Sequence, residues 1–392
     1  MPSLYVHVPF CIKKCDYCAF YSLPLIDWSE GYGRMPQSAG DSGLISGYLR
    51  GAAREIELRS GEAPAGVSSL YIGGGTPTVL SWRQLDTLLN EIHQYFTFSD
   101  SEKTTEANPG TVDEEKLKVL RNYRVNRISL GAQSFNDRLL CQMGRIHRSQ
   151  DIWQAVKRIR KAGIHNLNLD LIFGLPGQDL KDWKDTLRKA SELSPEHLSV
   201  YALTLEEGTP FGEKYLQDRT EFLPDDDLQA DMYAWAAAFL EEKGYRHYEI
   251  SNFARPGYEC KHNLTYWQGE DYIGLGPGAV SCIQNVRSKN NEDITAYIED
   301  HGKGQKTFAL CETEFLTAAQ LMSEYMMLGL RTEEGISLTG FLQKFKVSVQ
   351  DIYGPIMANY IDRGFLFIAE DRLTLNKQYM FVANAIIRDF MR

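Results

Sequence analysis

Three cysteines packed into eight residues constrain this chain more than anything else in it. Cys11, Cys15 and Cys18 occur in the segment Tyr5-Val6-His7-Val8-Pro9-Phe10-Cys11-Ile12-Lys13-Lys14-Cys15-Asp16-Tyr17-Cys18, a Cys-x3-Cys-x2-Cys spacing. A [4Fe–4S] cluster normally takes four thiolates, one per iron. Three leave one iron open, able to bind the amino and carboxylate groups of a small molecule. Structural zinc wants four ligands, commonly as paired Cys-x2-4-Cys units, and only three lie together here. A redox pair at Cys15 and Cys18 would open a helix after a strand and leave Cys11 surplus. The cluster reading uses all three.

From Leu4 to about Leu205 the chain alternates strand and helix patterns. Strands are predicted at Leu4–Val8, Ser69–Ile72, Thr104–Ala107, Arg127–Gly131, Leu167–Ile172 and His197–Leu203, each a short apolar or alternating run followed by Gly, Pro or polar residues. Helical periodicity runs through Leu85, Leu88, Leu89, Ile92 and Phe96, and again through Ile152, Val156 and Ile159. Strands separated by helices give right-handed crossovers and a parallel sheet. The fold class is therefore α/β, an incomplete (β/α)6 barrel smaller than the eight-unit type. Ile26–Gly43, rich in Gly, Ser and polar residues, reads as a loop insertion after the cysteines.

Three regions are expected, a barrel over 1–215, a connecting region over 216–315 and a C-terminal domain over 316–392. The middle one begins with a helix over about Leu228–Lys243 and continues as irregular Gly- and aromatic-rich sequence. Its lead-in Pro224-Asp225-Asp226-Asp227 suits an N-cap whose carboxylates favour the helix dipole better than a metal site. The last region reads as helices at Ala318–Leu330, Leu338–Phe345 and Val349–Arg363, then a hairpin of Phe365–Ile368 and Arg372–Leu375 around Glu370 and Asp371. That is a winged-helix order. The third helix carries Asp351 and Asp362 and hardly a basic residue, which argues against DNA reading.

The formal net charge of −10 also disfavours a nucleic-acid footprint. No apolar run long enough for a transmembrane helix occurs, and an immediate N-terminal strand leaves no room for a signal peptide. Seven cysteines, three of them clustered, suit a reducing cytoplasm better than a disulfide framework. Whether the chain forms a dimer stays open.

Ligands of parallel α/β folds sit at the C-terminal strand ends, and four such ends are polar or Gly-rich. They are Gly73-Gly74-Gly75-Thr76-Pro77, Glu106-Ala107-Asn108-Pro109, Gln133-Ser134-Phe135, and Asp170 ahead of Gly174-Leu175-Pro176-Gly177. The glycines, with Gly74 and Gly75 central, permit close backbone approach to an amino group. Glu106 and Asp170 can accept from an amino group or ribose hydroxyls, and Gln133 and Arg148 can reach ribose and carboxylate. Tyr17 is placed to pack on adenine, and Tyr5 points into the barrel if strand alternation holds.

The cysteine spacing resembles that of the radical S-adenosylmethionine (SAM) superfamily, where the open iron chelates the cofactor's methionine part and an electron cleaves its S–C5′ bond. With Gly144-Arg145-Ile146-His147 and Asp170-Leu171-Ile172-Phe173-Gly174-Leu175-Pro176 added, nearly the whole chain resembles the oxygen-independent coproporphyrinogen oxidase family. The resemblance implies a [4Fe–4S] cluster, SAM contacts that include Thr76, and an external electron donor. The genuine oxidases of that family carry a further cysteine just after the triad, where this chain has Phe20. Its haem-chaperone branch lacks that cysteine and carries His-Asn-x-x-Tyr-Trp, present here as His262-Asn263-Leu264-Thr265-Tyr266-Trp267. That branch implies haem as cargo, a haem-accepting protein as partner, and His262 as an axial imidazole with aromatic neighbours. One departure is Val280 after Gly276-Pro277-Gly278-Ala279, where relatives often have His. Cys260 is either a second haem ligand or a buried small hydrophobe.

Overall fold

The structure, a computed structural model, describes residues 1–26, 43–215, 223–302 and 310–391. Most of the expected loop insertion at Ile26–Gly43 therefore lies outside the described residues. Six parallel strands, β1 (Ser3–Val8), β2 (Val67–Gly74), β3 (Phe98–Ala107), β4 (Arg127–Gln133), β5 (Asn166–Phe173) and β6 (His197–Ala202), lie side by side in sequence order. Helices Gly43–Arg59, Trp82–Tyr95, Glu114–Asn122, Ser149–Lys161 and Leu180–Glu192 make the crossovers. The incomplete α/β barrel expected from the strand–helix alternation is the fold observed.

Period-two alternation explains both faces of this sheet. Leu4, Val6 and Val8 of β1, Leu70 and Ile72 of β2, and Ile128 and Leu130 of β4 are fully buried in the apolar layer beneath the helices. The intervening residues are polar or aromatic and face the lumen: Ser3, Tyr5 and His7; Ser69 and Tyr71; Glu102, Thr104 and Glu106; Arg127 and Ser129; Asn168 and Asp170; His197 and Ser199. Hydrogen bonds across the lumen, such as His197 Nδ1 to Asn168 Oδ1 at 2.6 Å and Nε2 to the Tyr248 hydroxyl at 2.8 Å, satisfy part of this polar filling, whereas Thr104 Oγ1 and Arg127 Nε have no such bond among the described residues.

The sequence from Gly244 onward, expected to be irregular, instead extends both edges of the barrel sheet. Arg246–Glu249 and Asn252–Ala254 form a hairpin that pairs antiparallel with β6. Tyr272–Leu275 runs parallel to β1, and Val280–Ile283, Val286–Asn290 and Leu310–Phe315 continue antiparallel from it. These strands are too short for periodicity to reveal. They form because a sheet edge presents unpaired N–H and C=O groups that pair with any extended segment laid alongside. Asp225 is the N-cap of Asp226–Glu242, its side chain accepting from the Leu228 N–H at 2.8 Å, so the acidic run is a cap as expected.

Helices Ala318–Gly329, Leu338–Phe345 and Val349–Asp362, with Ile336–Ser337 and the hairpin Leu366–Ala369 and Arg372–Leu375, make the winged-helix-like C-terminal domain. It docks on the Arg246–Ala254 hairpin through Ile250 N–H to Arg331 O at 3.0 Å and Glu333 N–H to Tyr248 O at 2.9 Å. Phe381 packs on Tyr233 and Phe173 of the barrel. No helix among the described residues is long and apolar enough to cross a membrane.

Candidate functional site

The cysteine loop leaves the C-terminal end of β1 and is tied down at its base. Phe10–Cys11 pairs with Leu23–Pro24, and Leu23 and Leu25 donate to the carbonyls of Pro9 and Cys11 at 2.7 and 2.8 Å. Asp16 is held from both sides, its N–H on Met143 O and its carbonyl on the Phe211 N–H. The glycine run after β2 supports the loop from below, with Gly75 N–H on Val8 O and Thr76 N–H on Phe10 O. Gly74 stands at φ +105°, and a Cβ there would lie 2.4 Å from the His7 ring; one on Gly75 would lie 2.5 Å from Phe10 O. Only glycine permits that approach. His7 in turn donates through Nε2 to Tyr21 O at 2.9 Å and accepts the Tyr5 hydroxyl at Nδ1, 3.0 Å away.

Cys11, Cys15 and Cys18 are free and half-buried. Burial pushes the Cys11 thiol up and raises Cys18 to about 11, so thiolates here need a compensating positive charge. Arg145 brings one: its Nη1 lies 3.3 Å from Cys15 Sγ, while Nη2 donates to Gly131 O at 2.7 Å and to Asn108 Oδ1. The hydroxyl of Thr76 reaches Cys11 Sγ at 3.7 Å. Among the described residues no three His, Cys, Asp or Glu side chains converge as ligands of a single metal ion. Separate irons of one cluster ask no such convergence of their thiolates, and three sulfurs flanked by a guanidinium and a hydroxyl fit that group.

Around the same end of the barrel stand Glu106, Asp170, Gln133, Tyr5 and Tyr17. Glu106 accepts from the Tyr71 hydroxyl at 2.9 Å and the Gly74 N–H at 3.1 Å. Asp170 accepts from Ser129 at 2.9 Å and Asn168 at 2.8 Å. Gln133 sits at φ +62°, where the register of β4 against β5 shifts. A left-handed non-glycine residue is strained by roughly 1–2 kcal/mol, and this one lies over Gly131, whose absent side chain makes room for its amide. Tyr17 packs on an apolar patch with Leu139, Met143 and Phe211. Arg148 is not in this group. It is exposed at the start of helix Ser149–Lys161, its N–H bonded to Asp151, and the guanidinium at the site belongs to Arg145. Spacing could not choose between two arginines three residues apart. The signal lay in Gly144, whose φ of +73° sets the turn that seats Arg145 behind the cysteine loop.

Burial first, then the charge of Asp170, pushes the Glu106 carboxyl from its ordinary 4.5 up to about 7. The folded state therefore holds this proton after the unfolded chain has lost it, and stability falls as pH rises through that window. Glu106→Gln should gain about 2 kcal/mol on the unmodified protein between about pH 5 and about pH 8, its partial exposure allowed for. Denaturant unfolding at the two pH values checks this, and an unchanging gap would refute a raised Glu106.

His262 lies at the opposite end of the barrel. Helix Lys261–Trp267 closes the floor, where the strands begin, with its first N–H groups on the buried carboxylate of Glu102 at 3.2 Å. Ser69 donates to Ser3, so His262 Nδ1–H donates to Ser69 Oγ at 2.8 Å and Nε2 accepts from the Tyr266 hydroxyl at 3.0 Å. The imidazole stacks on Tyr71 with ring centres 5.1 Å apart and is 1% exposed. Burial, then the Arg127 guanidinium, drives it down to about 3, so it is neutral. Both nitrogens are thus engaged inside the barrel, and an axial role as expected from the motif would require the imidazole to give up one of these bonds. Cys260 is fully buried, its Sγ 3.4 Å from Glu102 Oε1, as a small core residue and not a surface ligand.

Residues 5–190 match the family model of the Radical SAM superfamily, and residues 316–382 that of the HemN C-terminal domain. The curated heme chaperone HemW of Lactococcus lactis is 35% identical, covering 99% of this chain and 97% of that protein. The protein of the same name from Bacillus subtilis is 35% identical over 100% and 99% of the two chains, and that of Escherichia coli 40% identical over 99% and 98%. Among solved structures, the coproporphyrinogen III oxidase HemN of Escherichia coli, described as a radical SAM enzyme, has a TM-score of 0.83 at 25% identity, covering 99% of this chain and 90% of that one.

Proposed function

Because this chain belongs to the heme chaperone HemW family of the radical SAM superfamily, we propose that it binds haem as cargo and passes it to an acceptor protein. In this reading Cys11, Cys15 and Cys18 hold a [4Fe–4S] cluster whose fourth iron takes SAM. When bound, the cluster supplies a single electron, which it receives from an external donor. The chain's own groups do the rest. Arg145 offsets thiolate charge and would offer its guanidinium to a carboxylate. Glu106, Asp170 and the Gly74–Gly75 backbone offer acceptors for an ammonium and for ribose hydroxyls, and Gln133 offers an amide. Tyr5 and Tyr17 wall the site.

The observation that carries the chaperone reading over an oxidase is Phe20. It stands where the family's oxidases have a further cysteine, and it is 71% exposed, so this end of the cysteine loop presents an apolar ring in place of a reactive sulfur. The test is to titrate the anaerobically purified protein with haem and, separately, to incubate it with coproporphyrinogen III, SAM and a reductant. Stoichiometric haem uptake without propionate decarboxylation is expected. Formation of protoporphyrinogen at each turnover would overturn the chaperone reading.

A further inference from the structure

We propose that Asn108 is a positioning residue for the cluster, its two amide atoms separately holding the groups that touch the thiols of Cys11 and Cys15. The inference rests on the cluster reading above and adds a residue that none of the ligand assignments includes.

Asn108 follows β3 with φ −105° and ψ +148°, the extended conformation that the next residue, Pro109, imposes. Its backbone is locked locally. Its N–H donates to Thr111 Oγ1 at 3.2 Å, and its carbonyl accepts from the Thr111 N–H and hydroxyl, each at 2.9 Å. A Cβ on Gly131 would come within 3.0 Å of Asn108 Oδ1, so the bare backbone there makes room for the amide.

The direction of each side-chain bond is fixed by chemistry. Arginine can only donate, so Asn108 Oδ1 is the acceptor for Arg145 Nη2. The other amide atom must then be the nitrogen, which donates to Thr76 Oγ1 at 2.7 Å. Having accepted that bond, the Thr76 hydroxyl keeps its own hydrogen for Cys11 Sγ at 3.7 Å. Arg145, steadied by Asn108 and by Gly131 O, turns Nη1 to Cys15 Sγ at 3.3 Å. One amide thus aims two donors at two of the three sulfurs. Hydrogen bonds to cluster sulfurs raise the reduction potential, and groups behind the ligands set their orientation.

The experiment uses the full chain, anaerobically reconstituted, with iron content and the midpoint potential from an EPR-monitored redox titration as readouts. Asn108→Ala should keep the cluster and move its potential to a more negative value. Asn108→Asp has the same shape but cannot donate to Thr76, whose hydroxyl then turns away from Cys11; it carries the test if the alanine variant fails to fold. Thr76→Val removes the same hydroxyl directly, so its shift should nearly vanish when made in the Asn108→Asp background. Unshifted potentials in both Asn108 variants at full iron content would overturn the proposal, as would a Thr76→Val shift of equal size in both backgrounds. Unmodified protein that takes up no cluster would overturn the cluster reading itself, whereas a loaded protein with insensitive Asn108 variants would overturn this inference alone.

Discussion

Cys15→Ser should leave a folded protein that can no longer hold its cluster. Serine replaces a thiolate by a hydroxyl that stays protonated at neutral pH, so one iron loses its ligand and Arg145, 3.3 Å from that sulfur, loses its anion. After anaerobic reconstitution the unmodified chain should carry about four irons and about four sulfides, the content of the cluster type. The variant should carry under about half of each and lose the charge-transfer absorbance. Its thermal stability without iron should change by less than about 1 kcal/mol, because the loop is tied down by backbone bonds at Pro9, Cys11 and Asp16 that the substitution leaves alone. A Cys15→Ser protein with a complete cluster would refute the ligand assignment.

His262→Ala should damage the fold, not a ligand site. The imidazole is fully engaged between Ser69 and Tyr266 and stacked on Tyr71. Its removal opens a cavity and leaves the Tyr266 hydroxyl without its acceptor, while Ser69 keeps its bond to Ser3, a loss of about 3–5 kcal/mol. The folded fraction should bind haem with an unchanged Soret band, since an axial role would require the imidazole to give up one of these bonds. A variant of normal stability that loses the haem spectrum would restore the ligand role. A pH signature accompanies this. The folded-state value of about 3 lies below the ordinary 6.5, so the unfolded chain takes up a proton that the folded one refuses. The contribution of His262 to stability is therefore whole above about pH 6.5 and is lost as pH falls toward 3, on the order of 4 kcal/mol in all. His262→Ala should lack that part of the acid sensitivity.

How much of this was legible in the chain divides along physical lines. Six barrel strands could be read because each carries its own alternation: Leu4, Val6 and Val8 on one face and Tyr5 and His7 on the other already state which side is core and which is lumen. The three cysteines could be read as one candidate site because Cys11, Cys15 and Cys18 fall within eight residues and so share one loop wherever that loop lies. Glu106, Gln133 and Asp170 followed from strand ends, since a parallel sheet gathers its C-termini on one rim.

What the tertiary structure alone decided concerns groups whose direction is set by packing between distant segments. Arg145 and Arg148 differ by three residues in a turn, and only the seating of that turn behind the cysteine loop sends one to Cys15 and the other to solvent. The His262 helix follows no strand of the barrel's regular alternation. That it plugs the floor, with its imidazole against Ser69 and Tyr71, depends on Glu102 meeting its N-terminus across 158 residues of chain. The short strands from Arg246 onward exist only because the barrel's edges needed partners. Asn108 looked like one polar residue among several until the fold brought Thr76 to one of its amide atoms and Arg145 to the other. Local spacing fixes which residues share a loop or a face, whereas hydrogen-bond direction in a buried site is settled by what the rest of the chain places on the far side.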